Sequence, residues 1–318
     1  MKTKQAGGIL FLGIFTVASF PAFGADLRLG IIGVDTSHAT EFTRIFNDPS
    51  AKDHIAGARV VAAYRGGSPD IASSRDRIER FTAELQNQWH IPFVDAIHDL
   101  CPLVDGILLE SVDGRAHLAQ FREAAACGKP VFIDKPLAST LADAREIAAI
   151  AAEKHVPWFS ASSMRYSGVL EMRSPDLTGA FVWGPGPLEE HHQLDLSWYA
   201  IHPIEMLFTL MGTDVVEVTR THAEDFDVIT GLWKGGRIGT VRAGRPYSDY
   251  GAVVFLPKNQ SSVKTGLDVD YSPLLRNVVQ FMTTGTPPVP NQETLRIFAF
   301  LDAAQRSGEA GGKPAPVK

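Results

Sequence analysis

Cysteine is scarce: the 318 residues hold only two, Cys101 and Cys127. Two thiols cannot build a disulfide scaffold, an all-cysteine zinc site or an iron–sulfur centre. No run of five basic residues occurs, and 30 Lys and Arg stand against 36 Asp and Glu, a formal charge of −6. An electrostatic footprint for nucleic acid is therefore missing. No Gly-x-Ser-x-Gly elbow supports a serine nucleophile, and no His-x-x-x-His pair puts two imidazoles on one helical face for zinc. Internal repeats and low-complexity segments are also absent. What remains is ordinary globular composition, 45% apolar and 21% charged, at a length suited to two domains.

Long apolar runs are missing too, and the one short run has a meaning. Lys2 and Lys4 precede a charge-free, mostly apolar stretch from Ile9 to Phe20, followed by Pro21-Ala22-Phe23-Gly24-Ala25. A basic start, a short apolar centre and small residues make the tripartite pattern of a secretory leader. Twelve helical residues reach about 18 Å, short of a hydrocarbon core of roughly 30 Å. Residues 1–24 are therefore expected to be a signal peptide, and the mature protein to be periplasmic or extracellular without a stable membrane anchor. Loss of the leader removes two lysines and takes the formal charge from −6 to −8.

From Leu27 onward, short apolar runs alternate with amphipathic segments. Strands are predicted at Leu27–Ile32, Val60–Tyr64, Val104–Leu109 and Val131–Ile133, with another beginning at Pro157–Phe159. Helices are predicted at Thr36–Asn47, Ile71–Gln88, His117–Cys127 and Leu141–His155. Continuous apolar strands alternating with helices imply a doubly wound parallel sheet of Rossmann type, over residues 25–160. After Ser160 the strands follow one another: Ala180–Trp183, Val215–Arg220, Asp227–Trp233, Arg237–Arg242 and Gly251–Leu256. Helices are predicted at Tyr199–Met211, Ser272–Thr284 and Gln292–Ser307. Residues 161–318 thus read as an α+β domain with an open, mostly antiparallel sheet, ending in a loose Gly/Pro-rich tail from Gly308.

Chemistry in such a fold gathers at the carboxyl ends of the parallel strands. The first turn reads Gly30-Ile31-Ile32-Gly33-Val34-Asp35-Thr36-Ser37-His38. Of the three glycines in a dinucleotide fingerprint only Gly33 is in register, and Asp35 sets a negative charge where phosphate would sit. The turn either holds nucleotide or simply caps its helix through Asp35, Thr36 or Ser37. The second strand ends Tyr64-Arg65-Gly66-Gly67-Ser68, with no acid for a ribose hydroxyl; Arg65 and Ser68 suit a 2′-phosphate or a solvated turn. Asp134-Lys135-Pro136 leaves the strand Val131–Ile133 directly, and a lysine there can lose part of its proton affinity by desolvation and serve as an acid or donor.

These motifs resemble the Gfo/Idh/MocA family of glucose-fructose oxidoreductases and inositol dehydrogenases. The resemblance runs through the turn at Gly33, the lead-in Gly128-Lys129-Pro130-Val131 and Asp134-Lys135-Pro136-Leu137-Ala138. It continues through Ser162-Ser163-Met164-Arg165-Tyr166 and Phe281-Met282-Thr283-Thr284-Gly285, and so covers the chain beyond the leader. It implies NAD or NADP at Gly33, Asp35, Thr36, Ser37, His38, Tyr64, Arg65, Glu110 and Lys135. The lysine of the family's Glu-Lys-Pro motif falls on Lys135, with Asp134 in place of the Glu. The family's Asp-x-Gly-x-His keeps only its histidine, as His202, with Trp198 and Ala200 at the other two places. Tyr199 lies on the same helical face as His202 and would complete the catalytic set with Lys135. Arg165, His192, Asp195 and Trp198 are the substrate-binding candidates. Zinc-type donors His192, Asp195, His202 and Glu205 lack helical pairing, so no metal is expected. The implied activity is oxidation of a small carbohydrate. A carbohydrate-binding or accessory protein without redox activity is the alternative, and the family's open sheet implies self-association. Cys101 and Cys127 are expected to be reduced, buried and structural, with a disulfide as the alternative in an oxidising compartment.

Overall fold

The structure is a computed structural model that describes residues 26–318; the leader assigned to residues 1–24 lies outside the described residues. Along the first half run β1 (Leu27–Ile32), α1 (Ser37–Asn47), β2 (Ala58–Tyr64), α2 (Ala72–Arg75), α3 (Ile78–Asn87) and β3 (Phe93–Val94). Next come β4 (Gly106–Leu109), α4 (Gly114–Ala124), β5 (Val131–Ile133), α5 (Leu141–Lys154) and β6 (Trp158–Ser160). The six strands form one parallel sheet in the order β3-β2-β1-β4-β5-β6. Their residues are apolar on both faces because helices cover both faces. Thr36 caps α1, its hydroxyl accepting the His38 N–H. Ala39, Phe42, Ile45 and Phe46 then turn one fully buried face to the sheet. Burying each of the two phenylalanines contributes about 2–3 kcal/mol.

The second half holds β7 (Gly179–Pro185), α6 (Ile201–Met211), β8 (Val215–Ala223), β9 (Phe226–Trp233), β10 (Ile238–Gly244), β11 (Gly251–Leu256) and β12 (Gln260–Thr265). It closes with α7 (Ser272–Thr284), α8 (Asn291–Glu309) and β13 (Ala315–Pro316). The seven strands order as β12-β11-β7-β10-β9-β8-β13, antiparallel except for β7 with β10. The molecule is thus an α/β protein: a Rossmann-type domain and a second domain on a mixed, mostly antiparallel sheet. α6 is buried all round, packing between this second sheet and the 3₁₀ turn at Ser163–Tyr166.

Four features differ from the sequence reading. The helix predicted over Ile71–Gln88 is broken at Asp76 and Arg77 into α2 and α3, although its apolar spacing runs on unbroken. α7 returns to the first domain: Leu274, Leu275, Val278 and Phe281 pack into the core formed by β1 and α1. The tail is not loose, because Ala315 pairs with Val218 and Val317 is buried. Cys101 and Cys127 are not reduced: they form a disulfide with Cα atoms 5.0 Å apart. It ties the turn after Ile97–Leu100 to the 3₁₀ extension of α4, Ala125–Cys127, and Gly128 in the left-handed region ends that extension. Residues 26 positions apart come together only once both segments pack beside β4.

Candidate active site

Two neighbouring stretches of the first sheet's carboxyl edge are built differently. At β1, β2 and β4 the edge is closed by the chain itself. Gly33 has φ +89°, and a Cβ placed on it would lie 2.2–2.5 Å from Ser111 atoms, so Ser111 fills the space the glycine opens. Gly66, from the loop after β2, stacks on Gly33. Asp35 is fully buried, accepting from Ser74 Oγ at 2.6 Å and from the Val112 N–H at 3.0 Å. Ser74 Oγ accepts the Ser68 N–H at 2.8 Å, and Ser68 Oγ donates to Asp113 at 2.7 Å. Asp113 also binds Arg115 and His192. Burial pushes the Asp113 carboxyl up, but His192, Arg115 and Ser68 outweigh it and hold the group far below the usual carboxylate range. Residues 66–75 are thereby laced across the edge by satisfied buried hydrogen bonds.

At β5 the edge opens into a cavity of ≈ 300 Å³ between the start of α1, the Asp134-Lys135-Pro136 turn and the start of α6. Thr36, Ser37 and His38 line one side, Lys135 the floor, and Trp198, Tyr199 and His202 the other. His38 Nδ1 lies 2.6 Å from Asp134 Oδ2, and its ring packs on Phe42 and Tyr271. Although burial pushes the Asp134 carboxyl up, His38 and Lys135 hold it below its ordinary value. Burial, reinforced by Arg77, lowers the proton affinity of Lys135 despite Asp134 beside it. Lys135 Nζ stands 5.7 Å from the centre of the Tyr199 ring, which in turn lies 5.4 Å from the His202 ring. His202 is buried, with Nδ1 2.7 Å from Ser162 Oγ. Burial, then the charge on Lys135, holds its imidazole well below the usual range, so it is neutral at neutral pH.

Of the residues singled out in the sequence, Thr36, Ser37, His38, Lys135, Trp198, Tyr199 and His202 meet on this cavity. Gly33 and Asp35 belong to the closed stretch. Tyr64 accepts the Gly33 N–H through its carbonyl, and Arg65 pairs with Glu79. Glu110 is wholly buried with neither carboxylate oxygen partnered, and burial followed by the nearby Asp134 raises its pKa, keeping it protonated. Three substrate candidates lie off the cavity wall, each held by ion pairs that spacing along the chain cannot reveal. Arg165 is clamped by Glu205 and Glu293, His192 faces Asp113, and Asp195 binds Arg220. Arg165 borders a larger hollow of ≈ 730 Å³ against α6 and the segment before α8, which contains none of the acid–base groups described above. Sequence reasoning missed Arg77, Tyr247, Tyr250 and Tyr271 on the cavity wall. The two tyrosines of Tyr247-Ser248-Asp249-Tyr250 were the available signal, and nothing in periodicity marks Arg77.

A dinucleotide makes two demands on this edge. Beside Lys135 there is a cavity with hydroxyls from Thr36 and Ser37. Where phosphate would meet the start of α1 there is instead the Asp35 carboxylate, with the space over Gly33 taken by Ser111 and residues 66–75 laid across. The Lys135 side of the edge thus fits the nicotinamide end of the group, while at the start of α1 its phosphates would meet Asp35.

Residues 27–162 match the model of the Gfo/Idh/MocA oxidoreductase family, described as an NAD-binding Rossmann fold. Over 219 residues the chain is 27% identical to YceM of Salmonella typhimurium, whose name assigns it provisionally to the oxidoreductases. That alignment covers 69% of this chain and 59% of YceM, so the chain spans about three-fifths of that relative's length. Myo-inositol dehydrogenase from Lactobacillus casei, solved with NAD(H) and myo-inositol, superimposes with a TM-score of 0.69 at 17% identity, covering 92% of this chain and 97% of that one. An oxidoreductase from Agrobacterium radiobacter, solved with NAD+, L-tartaric acid and magnesium, gives a TM-score of 0.69 at 14% identity, covering 92% and 98%. Identities this low establish shared fold, and the family match covers the first domain: residues 27–162 are similar to the NAD-binding Rossmann domain of the Gfo/Idh/MocA oxidoreductases.

Proposed function

We propose that the protein is an exported oxidoreductase acting on a hydroxyl of a sugar, polyol or glycoside, with NAD(P) as redox partner and Lys135 and His202 as its acid–base pair. The observation that carries this reading is the convergence of Lys135, Tyr199 and His202 on one enclosed cavity at the end of β5. At ≈ 300 Å³ it has room for one small molecule. NAD(P), when bound, supplies the hydride acceptor. When His202 donates its Nδ1–H to Ser162, its Nε2 keeps a lone pair for the proton of a substrate hydroxyl. The ammonium of Lys135 stabilises the developing alkoxide, and burial lowers its proton affinity. Burial raises the Tyr199 pKa, so the phenol stays protonated as a hydrogen-bond donor between the two. Export is supported by the leader pattern of residues 1–24 and by the Cys101–Cys127 disulfide, which suits an oxidising compartment. Exposed Ile238, Phe255 and Val263 on the second sheet support self-association.

The test is incubation of the purified protein with NAD+ or NADP+ and a panel of polyols, aldoses and glycosides. The expected result is reduced cofactor, lost in Lys135→Met. If neither dinucleotide is reduced or raises the melting temperature at millimolar concentration, the redox reading fails. The closed phosphate path specifically favours a second reading, a carbohydrate-binding or accessory protein on the same fold. That reading expects a sugar to raise the melting temperature and NAD(P) to leave it unchanged.

A further inference from the structure

Strongly buried cations in this protein are paired. Arg165 meets Glu205 and Glu293, and Arg220 meets Asp195 and Asp227. Arg77 and Lys135 are less deeply buried, and they share one cavity. The Arg77 Nε donates to the Ser73 carbonyl, but its two terminal nitrogens have no hydrogen bond or ion pair among the described residues, and neither has Lys135 Nζ. Both side chains are half-buried and line the same cavity, close enough to repel each other. Among the described residues no Asp or Glu lines that cavity. The nearest carboxylates stand behind its wall, Asp35 engaged by Ser74 and Val112 and Asp134 turned to His38. Two half-buried like charges in one cavity are only partly offset by Asp35 and Asp134 behind its wall, and an anion placed between them lowers the remaining cost.

We infer that this cavity recognises a sugar bearing a carboxylate, a uronic or aldonic acid, with Arg77 and Lys135 as the carboxylate clamp. Arg77 offers the planar fork that binds a carboxylate bidentately, and Lys135 adds a point charge. The remaining wall is supplied by Tyr199, Tyr247, Tyr250 and Tyr271, whose ring faces and hydroxyls suit the CH and OH groups of a sugar. The phosphates of a dinucleotide are a poorer source of the anion. They would reach this same cavity beside Thr36 and Ser37 at the start of α1, close to the Asp35 carboxylate, and the phosphate and NAD+ arms of the test separate the two sources. The inference rests on reading this cavity as the substrate site, and requires no redox step.

The test is calorimetric titration of the full-length mature protein, without cofactor, against D-glucuronate, D-galacturonate and D-gluconate, each paired with D-glucose, D-galactose or sorbitol. Inorganic phosphate and NAD+ form separate arms. At least one acid is expected to bind tenfold or more tightly than its neutral partner. That advantage should vanish in Arg77→Gln and be partly kept in Arg77→Lys, with neither variant melting below the parent. If Arg77→Gln fails to fold, Lys135→Met reads the same loss from the other half of the clamp. Equal binding of all three acids and their neutral partners overturns the inference. So does an acid advantage that survives both substitutions, or an anion site filled by phosphate and NAD+ but by no sugar acid. Because no hydride transfer is read, failure of the redox reading leaves this result standing, and the reverse also holds.

Discussion

The two stretches of the carboxyl edge, β1–β2–β4 and β5, lie side by side in one sheet yet handle buried polarity in opposite ways. At the first, Asp35, Ser68, Ser74 and Asp113 satisfy one another. At the second, Arg77 and Lys135 face a cavity with no ion pair for their charged ends among the described residues, and His202 is held neutral beside them. A satisfied buried polar group stabilises the fold and has no capacity left for a ligand; an unsatisfied one at a cavity is costly until a ligand arrives. Polarity alone therefore does not mark the working site. Unmet charge that opens on a cavity does; Glu110 after β4 is unpartnered too, but it is protonated and lines no part of that cavity.

The comparison can be broken most severely at His202. His202→Asn should lower kcat about 10²–10⁴-fold with a nearly unchanged melting temperature. The wild-type acid limb of kcat/KM should fall below the ordinary imidazole value of about 6.5, since burial lowers the pKa of His202. A limb at or above that value would remove His202 as the base. Next in size, Asp113→Ala should cost about 3–5 kcal/mol in urea unfolding, because it strands His192 and Arg115. Asp113 binds its proton more weakly folded than unfolded, so its stabilisation is present above about pH 4 and declines as pH falls further. Replacing both Cys101 and Cys127 by Ser should cost about 3 kcal/mol, and reductant should lower the wild-type melting temperature to match, with turnover kept. Smallest, Ser74→Ala should cost about 1–3 kcal/mol and leave ligand affinity unchanged, since Ser74 serves the closed stretch alone.

Sequence patterns made the sheet order's raw material legible. The apolar runs at Leu27–Ile32 and Val131–Ile133 and the periodic helix after Thr36 each depend on neighbours within a few residues. That Lys135 and His202 share one cavity was legible for a different reason, since motif and position both pointed to that edge. Arg77 was not, because its role depends on a helix break that the apolar pattern of Ile71–Gln88 conceals. Arg165 and Asp195 misled because a charged residue near a site looks the same in sequence whether its partner is a ligand or Glu205 and Arg220. Asp35 was legible as a negative charge in the first turn, but its engagement of Ser74 and Val112, distant in sequence, emerges only in three dimensions.

The central claim is that the cavity at Lys135 does the work and the edge at Asp35 holds the fold. Its most direct test is a side-by-side measurement of Lys135→Met and Asp35→Ala, reading reduced-cofactor formation with the best substrate and the melting temperature of each. Lys135→Met should lose at least about 100-fold in rate while melting as the parent does. Asp35→Ala should melt several degrees lower while keeping its rate per folded molecule. A Lys135→Met protein that still turns over at the parental rate, or an Asp35→Ala protein that keeps its stability and loses its rate, would contradict the account.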